Sequence, residues 1–295
     1  NGVKLVYEEC ETGYNTKVGV ECYEKMKSRN PAAIIPNSTG ITYQLIPKSA
    51  VDKIPLLTVG YGRTSAAVGS VFPWVFNYPA TYWSQATAVI RYIGDQVGGL
   101  DKLKGQKITH IYHNSAYGKE ANPTLEVLAK KFGFKLTLLA VDHPGQEQKA
   151  TWLQIRRKKP DWIFMSGWGV MNQVAVKEAA ANNFPMDHFI GNWWSGSEND
   201  VTPAGMGAHG YKSATFHPSG SNTKMHDDMR KYVYAKGLGA GEESLEVGLF
   251  AWEDIPWDEI AFPTGVWALK HYYETKDLTA FQPFDNPELD RHRTR

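Results

Sequence analysis

Residues 108–118, Ile-Thr-His-Ile-Tyr-His-Asn-Ser-Ala-Tyr-Gly, run from an apolar stretch of strand length through a polar loop into a helix start. A buried strand that enters a polar loop and then a helix is the repeating unit of an α/β sheet. The loop beyond the carboxyl end of a parallel strand lines a crevice, where the next helix presents free backbone N–H groups. Tyr117 is predicted at such a crevice, with a ring to stack and a hydroxyl to donate. Taken alone, the segment leaves open an ordinary strand-to-helix turn.

The pattern repeats along the chain. Apolar runs at 3–7, 32–35, 56–59, 108–112, 136–141, 162–165 and 189–190 alternate with segments of helical period at 16–28, 42–53, 82–97, 120–132, 148–158, 170–182 and 223–235. Alternation of this kind predicts an α/β fold with parallel sheets flanked by helices. At 295 residues the chain exceeds the usual size of one domain, so two lobes are expected.

The charge balance narrows the function. Thirty-two Lys and Arg nearly cancel 31 Asp and Glu, leaving a formal charge of +1, which removes the electrostatic case for a nucleic-acid partner; the basic run 156–159 reads as the solvated end of a helix. No apolar run reaches the roughly 18 residues that span a bilayer. No signal peptide precedes the first apolar run, and the chain is expected to begin inside a fold. Cys10 and Cys22 sit after the first strand and inside the next helix. They form a disulfide in an oxidising compartment or stand as two buried thiols, and spacing alone does not choose.

Motifs of catalysis are missing. There is no Cys-x-x-Cys, no His-x-x-x-His, no phosphate-binding Gly-rich loop and no Gly-x-Ser-x-Gly elbow, so neither a metal nor a cofactor is expected. Loops suited to binding are better represented. Pro36-Asn37-Ser38-Thr39-Gly40 places small hydroxylated residues before a helix, either to hold a carboxylate or simply to cap the helix. Gly60-Tyr61-Gly62-Arg63-Thr64 follows the next strand, with glycines that allow close backbone approach and an aromatic ring. Ser166-Gly167-Trp168-Gly169 and Gly191-Asn192-Trp193-Trp194-Ser195 carry tryptophans after strands, suited to core or cleft.

In this order, the Asn-Ser-Thr-Gly loop, the Gly-rich loop, His-Asn-Ser-Ala-Tyr-Gly, Ser-Gly-Trp-Gly and Asn-Trp-Trp-Ser-Gly resemble the type I periplasmic solute-binding proteins of ABC importers, in the branched-chain amino-acid and aromatic-compound branch. The resemblance covers about residues 1–240. It implies two α/β lobes joined by a hinge, residues 1–77 giving part of the first and 78–240 the second. It further implies a periplasmic location and two partners, a small solute and, through the complete protein, a membrane permease. Ser38, Thr39, Gly60, Tyr61 and Gly62 would then belong to the first lobe's ligand shell, and Tyr117, Trp168, Trp193 and Trp194 to the second's.

One departure bears on the ligand. Amino-acid-binding members are similar in the loop at 191–194 but supply an acidic group there for the ligand's ammonium, where this chain has tryptophans. A buried ammonium with no carboxylate partner is costly, which favours an aromatic carboxylate or amide over leucine-like solutes. The chain is also expected to lack the first strand and helix of lobe one ahead of Asn1, and the returning segment after residue 240, so tight capture is expected to be impaired. Residues 242–295, with Glu242-Glu243-Ser244-Leu245 and Ile255-Pro256-Trp257-Asp258-Glu259-Ile260-Ala261-Phe262, are similar to the C-terminal end of Nudix hydrolases, as in a fusion of two fragments. The metal-holding glutamates of the Nudix box are absent, so no hydrolysis is expected.

Overall fold

A computed structural model describes residues 6–58, 60–216, 223–232, 252–255, 257, 270 and 273–274. Contact density divides the chain into two compact units, Asn1–His217 and Pro218–Arg295. Within the first unit the order is α1 (Thr16–Lys27), α2 (Thr39–Asp52), β1 (Leu56–Leu57), β2 (Val75–Phe76), α3 (Tyr82–Gln96), β3 (Lys107–His113), α4 (Ala116–Lys119), α5 (Asn122–Phe132), β4 (Lys135–Val141), α6 (Lys149–Lys158), β5 (Trp162–Ser166), α7 (Val170–Ala181), β6 (Phe189–Gly191), α8 (Glu198–Val201) and β7 (Lys212–Ser213). The second unit contains α9 (Lys224–Tyr232), pinned on its surface by Lys224–Asp228 and Arg230–Asp227 pairs, and a stack of Trp252 on Tyr273 with ring centroids 4.0 Å apart.

The larger sheet has five parallel strands in the order β4-β3-β5-β6-β7. Its inner strand β5 is an apolar run from Trp162 to Met165 because both its faces are covered. Along β5, Trp162 and Phe164 enter a core with Ile90 and Ile93 of α3 and Leu125 of α5, while Ile163 and Met165 enter another with Trp152 of α6 and Val176 of α7. The smaller sheet pairs β1 with β2 in parallel and has its own core of Tyr23, Ile34, Ile41, Leu45, Leu56 and Val75. A disulfide joins Cys10 to Cys22, tying the chain ahead of α1 to that helix.

The α/β architecture expected from the alternation is present, with local differences. The run at 32–35 contributes a single bridge, Ile34 to Leu56, hemmed between Pro31 and Pro36, which cannot donate to a ladder. Of the strand expected at 3–7, only residues 6 and 7 are described; they lie outside any strand and are exposed. The helix expected over 120–132 is α5, which begins at Asn122, and a short extra helix, α4, precedes it. Ser115 caps α4, and Pro123 opens α5, where its missing N–H is not needed. The Nudix-like stretch lies largely outside the described residues. Among the described residues no helix is long and apolar enough to cross a membrane.

Candidate ligand-binding site

Numbered by appearance, the five strands run 2-1-3-4-5, so the winding direction reverses between β3 and β5. Loops leaving adjacent strands at such a reversal part in opposite directions and open a crevice at the carboxyl edge. The loop after β3 carries Tyr117 there, and the loop after β5 carries Trp168. Ser115 caps α4 by accepting the Gly118 N–H at 3.5 Å, and residue 118 must be glycine because a Cβ would strike the His113 carbonyl.

Tyr117 is not a free donor. It is buried, its hydroxyl donates to the Gly167 carbonyl at 2.8 Å and accepts from the Asn192 amide at 2.6 Å. The same Asn192 side chain accepts from the Trp194 backbone N–H at 3.1 Å and from the Ser195 hydroxyl at 2.9 Å. One fully buried amide thus ties the loop after β6 to Tyr117, whose hydroxyl in turn holds the loop after β5.

Tyr61, Tyr82 and Tyr117 form a buried cluster against which Trp168, Trp193 and Trp194 pack. Tyr82 lies 5.3 Å from Tyr117 and stacks on Trp193 at 5.2 Å between centroids. Both tryptophans of the 193–194 pair reach across: Trp193 Nε1 donates to the Gly60 carbonyl at 3.2 Å, and Trp194 Nε1 to the Tyr82 hydroxyl at 3.0 Å. Gly60 has φ +67°, and a Cβ on it would meet the Phe216 ring at 2.9 Å, so glycine lets this backbone approach the rings. Gly62 faces the Thr58 and Asn77 side chains. Burial pushes the Tyr61 hydroxyl up to about 12 and raises those of Tyr82 and Tyr117, so all three keep their protons at neutral pH.

Ser38 caps α2, accepting the Ile41 N–H at 3.4 Å, and Thr39 opens that helix. Among the described residues Trp168 Nε1 is buried with no hydrogen-bond partner, and Thr39 Oγ1 and the Tyr61 hydroxyl make no hydrogen bond of good geometry, Thr39 facing the Tyr82 hydroxyl and Tyr61 the Asn37 backbone. Each can donate, and leaving such a group unpaired in the interior costs about 1–3 kcal/mol. Ser38 also lines a cavity of ≈ 360 Å³ together with Tyr14, His113, Ser115 and His143. Tyr14 lies 5.0 Å from Trp168, and His113 Nε2 is 3.3 Å from His143 Nδ1. Burial, then the neighbouring His143, brings His113 down to about 4, which keeps it neutral.

The structure brings Tyr61, Tyr117, Trp168, Trp193 and Trp194 into one cluster, with the Gly60 carbonyl as an acceptor for it. Sequence reading missed Tyr82, Asn192, Tyr14 and His143 as members of these surroundings. Tyr82 opens a helix rather than closing a strand, so only its aromatic type at a helix start pointed to it.

The geometry has parallels among solved structures. An ABC transporter permease from the Pseudomonas fluorescens group is 46% identical, with a TM-score of 0.71 over 80% of this chain and 58% of that one. A branched-chain amino-acid ABC transporter from Thermus thermophilus with bound valine is 17% identical, with a TM-score of 0.65 over 79% and 59% of the two chains. An R. palustris ABC-transporter solute-binding protein in complex with benzoate is 16% identical, with a TM-score of 0.65 over 80% and 64%. These last two share the fold. The chain spans less than two thirds of the length of each of the three. A comparison with curated proteins returned no match.

None of these matches supports the Nudix likeness of the tail. The family match instead runs past residue 240, where the family pattern was expected to stop. With residues 1–253 matching its sequence pattern, the chain belongs to the periplasmic binding protein family.

Proposed function

We propose that this chain is the solute-capturing part of an ABC importer and that its solute is an aromatic carboxylate or a related amide, held between two lobes. In this reading residues up to 77 belong to one lobe and those from 78 to about 240 to the other. Ser38, Thr39, Gly60, Tyr61 and Gly62 contribute from the first, and Tyr117, Trp168, Trp193 and Trp194 from the second. The observation that carries this reading is Trp168 Nε1, buried with no partner among the described residues, together with the weakly engaged Thr39 and Tyr61 hydroxyls, in and beside a cluster of stacked rings. Donors of that kind suit carboxylate or carbonyl oxygens, and the rings suit a flat apolar body.

No carboxylate side chain occurs in the loop 191–195, whose sequence is Gly-Asn-Trp-Trp-Ser, so a ligand ammonium has no counter-charge there. The benzoate and valine complexes of the two distant structural relatives show that the fold admits both solute classes; the aromatic lining favours the first. A periplasmic location accords with the Cys10–Cys22 disulfide, since such bonds persist in oxidising compartments. A membrane permease is the partner that capture would serve, and capture and release require no catalytic group.

A thermal-unfolding panel tests the solute class. A ligand that binds only the folded chain stabilises it by about 2.7 kcal/mol at a hundredfold excess over Kd. Benzoate and hydroxybenzoates are expected to raise the midpoint, with leucine and valine giving smaller shifts. Stabilisation by leucine with no response to aromatic acids would refute the aromatic assignment.

A further inference from the structure

Glu120, just after α4, is buried on the side of the five-stranded sheet, yet its carboxyl is engaged by the smaller-sheet region of the same unit. The Tyr43 hydroxyl of α2 donates to Oε2, and the Thr64 backbone N–H, from the turn after β1, donates to Oε1 at 2.8 Å. Both donors belong to the part of the chain built on the smaller sheet. From α3, Trp83 Nε1 donates to the Glu120 backbone carbonyl at 2.9 Å.

The charged and titratable groups around this carboxyl are few. Arg63 faces the network from the turn, its guanidinium 5.1 Å above the Tyr43 ring centroid. Tyr43 is the titratable group of α2 that bonds it, Trp83 of α3 carries no charge, and Lys119, its chain neighbour, is exposed. Among the described residues Glu120 makes no ion pair. A buried carboxylate with no cation is costly. A protonated one has no such cost here: its O–H donates to the Tyr43 oxygen while Oε1 still accepts from Thr64.

We propose that Glu120 is a proton-coupled strut between the smaller-sheet and five-stranded-sheet regions: drawing them together takes up one proton, and parting them releases it. The idea rests on the reading that these regions are the two lobes that open and close in solute capture. In the joined state burial lifts the carboxyl from 4.5 to about 7, against the pull of the Thr64 N–H. Parted and wetted, it returns to the ordinary range. The contribution to closure is therefore complete below the ordinary carboxylate range and is lost as pH rises through about 7. The closure constant changes by at most about tenfold per pH unit, the limit for one proton.

Two measurements on the ligand-free chain test this. In carbon-detected NMR of glutamate-labelled protein, one carboxyl is expected to titrate near 7, and its signal should vanish in Glu120→Gln. Small-angle scattering should give a smaller radius of gyration at about pH 5.5 than at about pH 8.5, on either side of the shifted value, and no difference in Glu120→Gln. Should that variant not fold, Tyr43→Phe keeps the carboxyl and cuts one end of the strut, and the difference in radius should shrink. An ordinary titration for Glu120, or a pH-dependent radius that survives in Glu120→Gln or is undiminished in Tyr43→Phe, overturns the proposal. Failure of benzoate, used as the probe, to bind at any pH would defeat the capture reading alone, because titration and scattering are read without solute.

Discussion

In the five-stranded sheet, β3 and β5 each have a paired strand on both sides and a helical layer on both faces, whereas β1 has β2 on one side and a single bridge to Ile34 on the other. The consequences are visible in what each region buries. Ile108, Ile111, Ile163 and Met165 of the larger sheet are all fully enclosed. Around the smaller sheet Leu56 is enclosed as well, but Val51, Val71 and Phe76 are 80%, 63% and 49% exposed. β3, paired on both sides and covered on both faces, runs for seven residues, whereas β1, with one paired strand and one bridge, runs for two.

The largest expected effect that separates the two regions is a core truncation. Phe164→Ala, which opens a void between α3, α5 and β5, should cost about 3–5 kcal/mol, and Leu56→Ala, with fewer layers around it, about 2–3 kcal/mol. Denaturant unfolding of both variants measures this; equal losses would erase the contrast. Native-state hydrogen exchange sharpens it, with β3 and β5 amides expected to outlast those of β1.

Next comes the disulfide. Cys10→Ser opens a link between residues 12 apart in sequence, worth about 2–3 kcal/mol for a loop of this length. The loss should fall on the smaller-sheet region, read by exchange in α1 and α2. Equal loosening of β3 and β5 would show that the two regions unfold as one.

The rings come third. Trp194→Ala should weaken benzoate binding by about 1–3 kcal/mol if that ring stacks on the solute. On the opposite side of the cluster, Tyr61→Phe removes only the ring hydroxyl and should cost about 0.5–1.5 kcal/mol of affinity with little change in stability. Titrations of the two variants test whether both sheets hold the solute; an effect confined to Trp194 would assign binding to the larger sheet alone.

What could be read from the residues follows the same division. The strand at 162–166 was legible because burial on both faces writes a nearly continuous apolar run, and those at 107–113 and 135–141 through apolar stretches interrupted by Thr109, His110 and Thr137. The pairs Val75–Phe76 and Lys212–Ser213 were not, since two residues carry no periodicity. Likewise Tyr61, Tyr117, Trp168, Trp193 and Trp194 stood out as aromatics following strands, at the edge where an α/β sheet opens. Asn192 lay in plain view within its loop, but nothing in its type revealed that one amide would bond Tyr117, Trp194 and Ser195. The commitment of the Tyr117 hydroxyl to Gly167, 50 residues away, is tertiary information with no local signature.

The most direct test is calorimetric titration of benzoate and of leucine into this chain under the same conditions. Saturable one-to-one heat with benzoate, and weaker or no heat with leucine, is the expected result; the preference between the two solutes is the quantity to compare. Tight leucine binding with a silent benzoate titration would contradict the assignment of the Tyr61, Tyr117, Trp168, Trp193 and Trp194 cluster as an aromatic-carboxylate site.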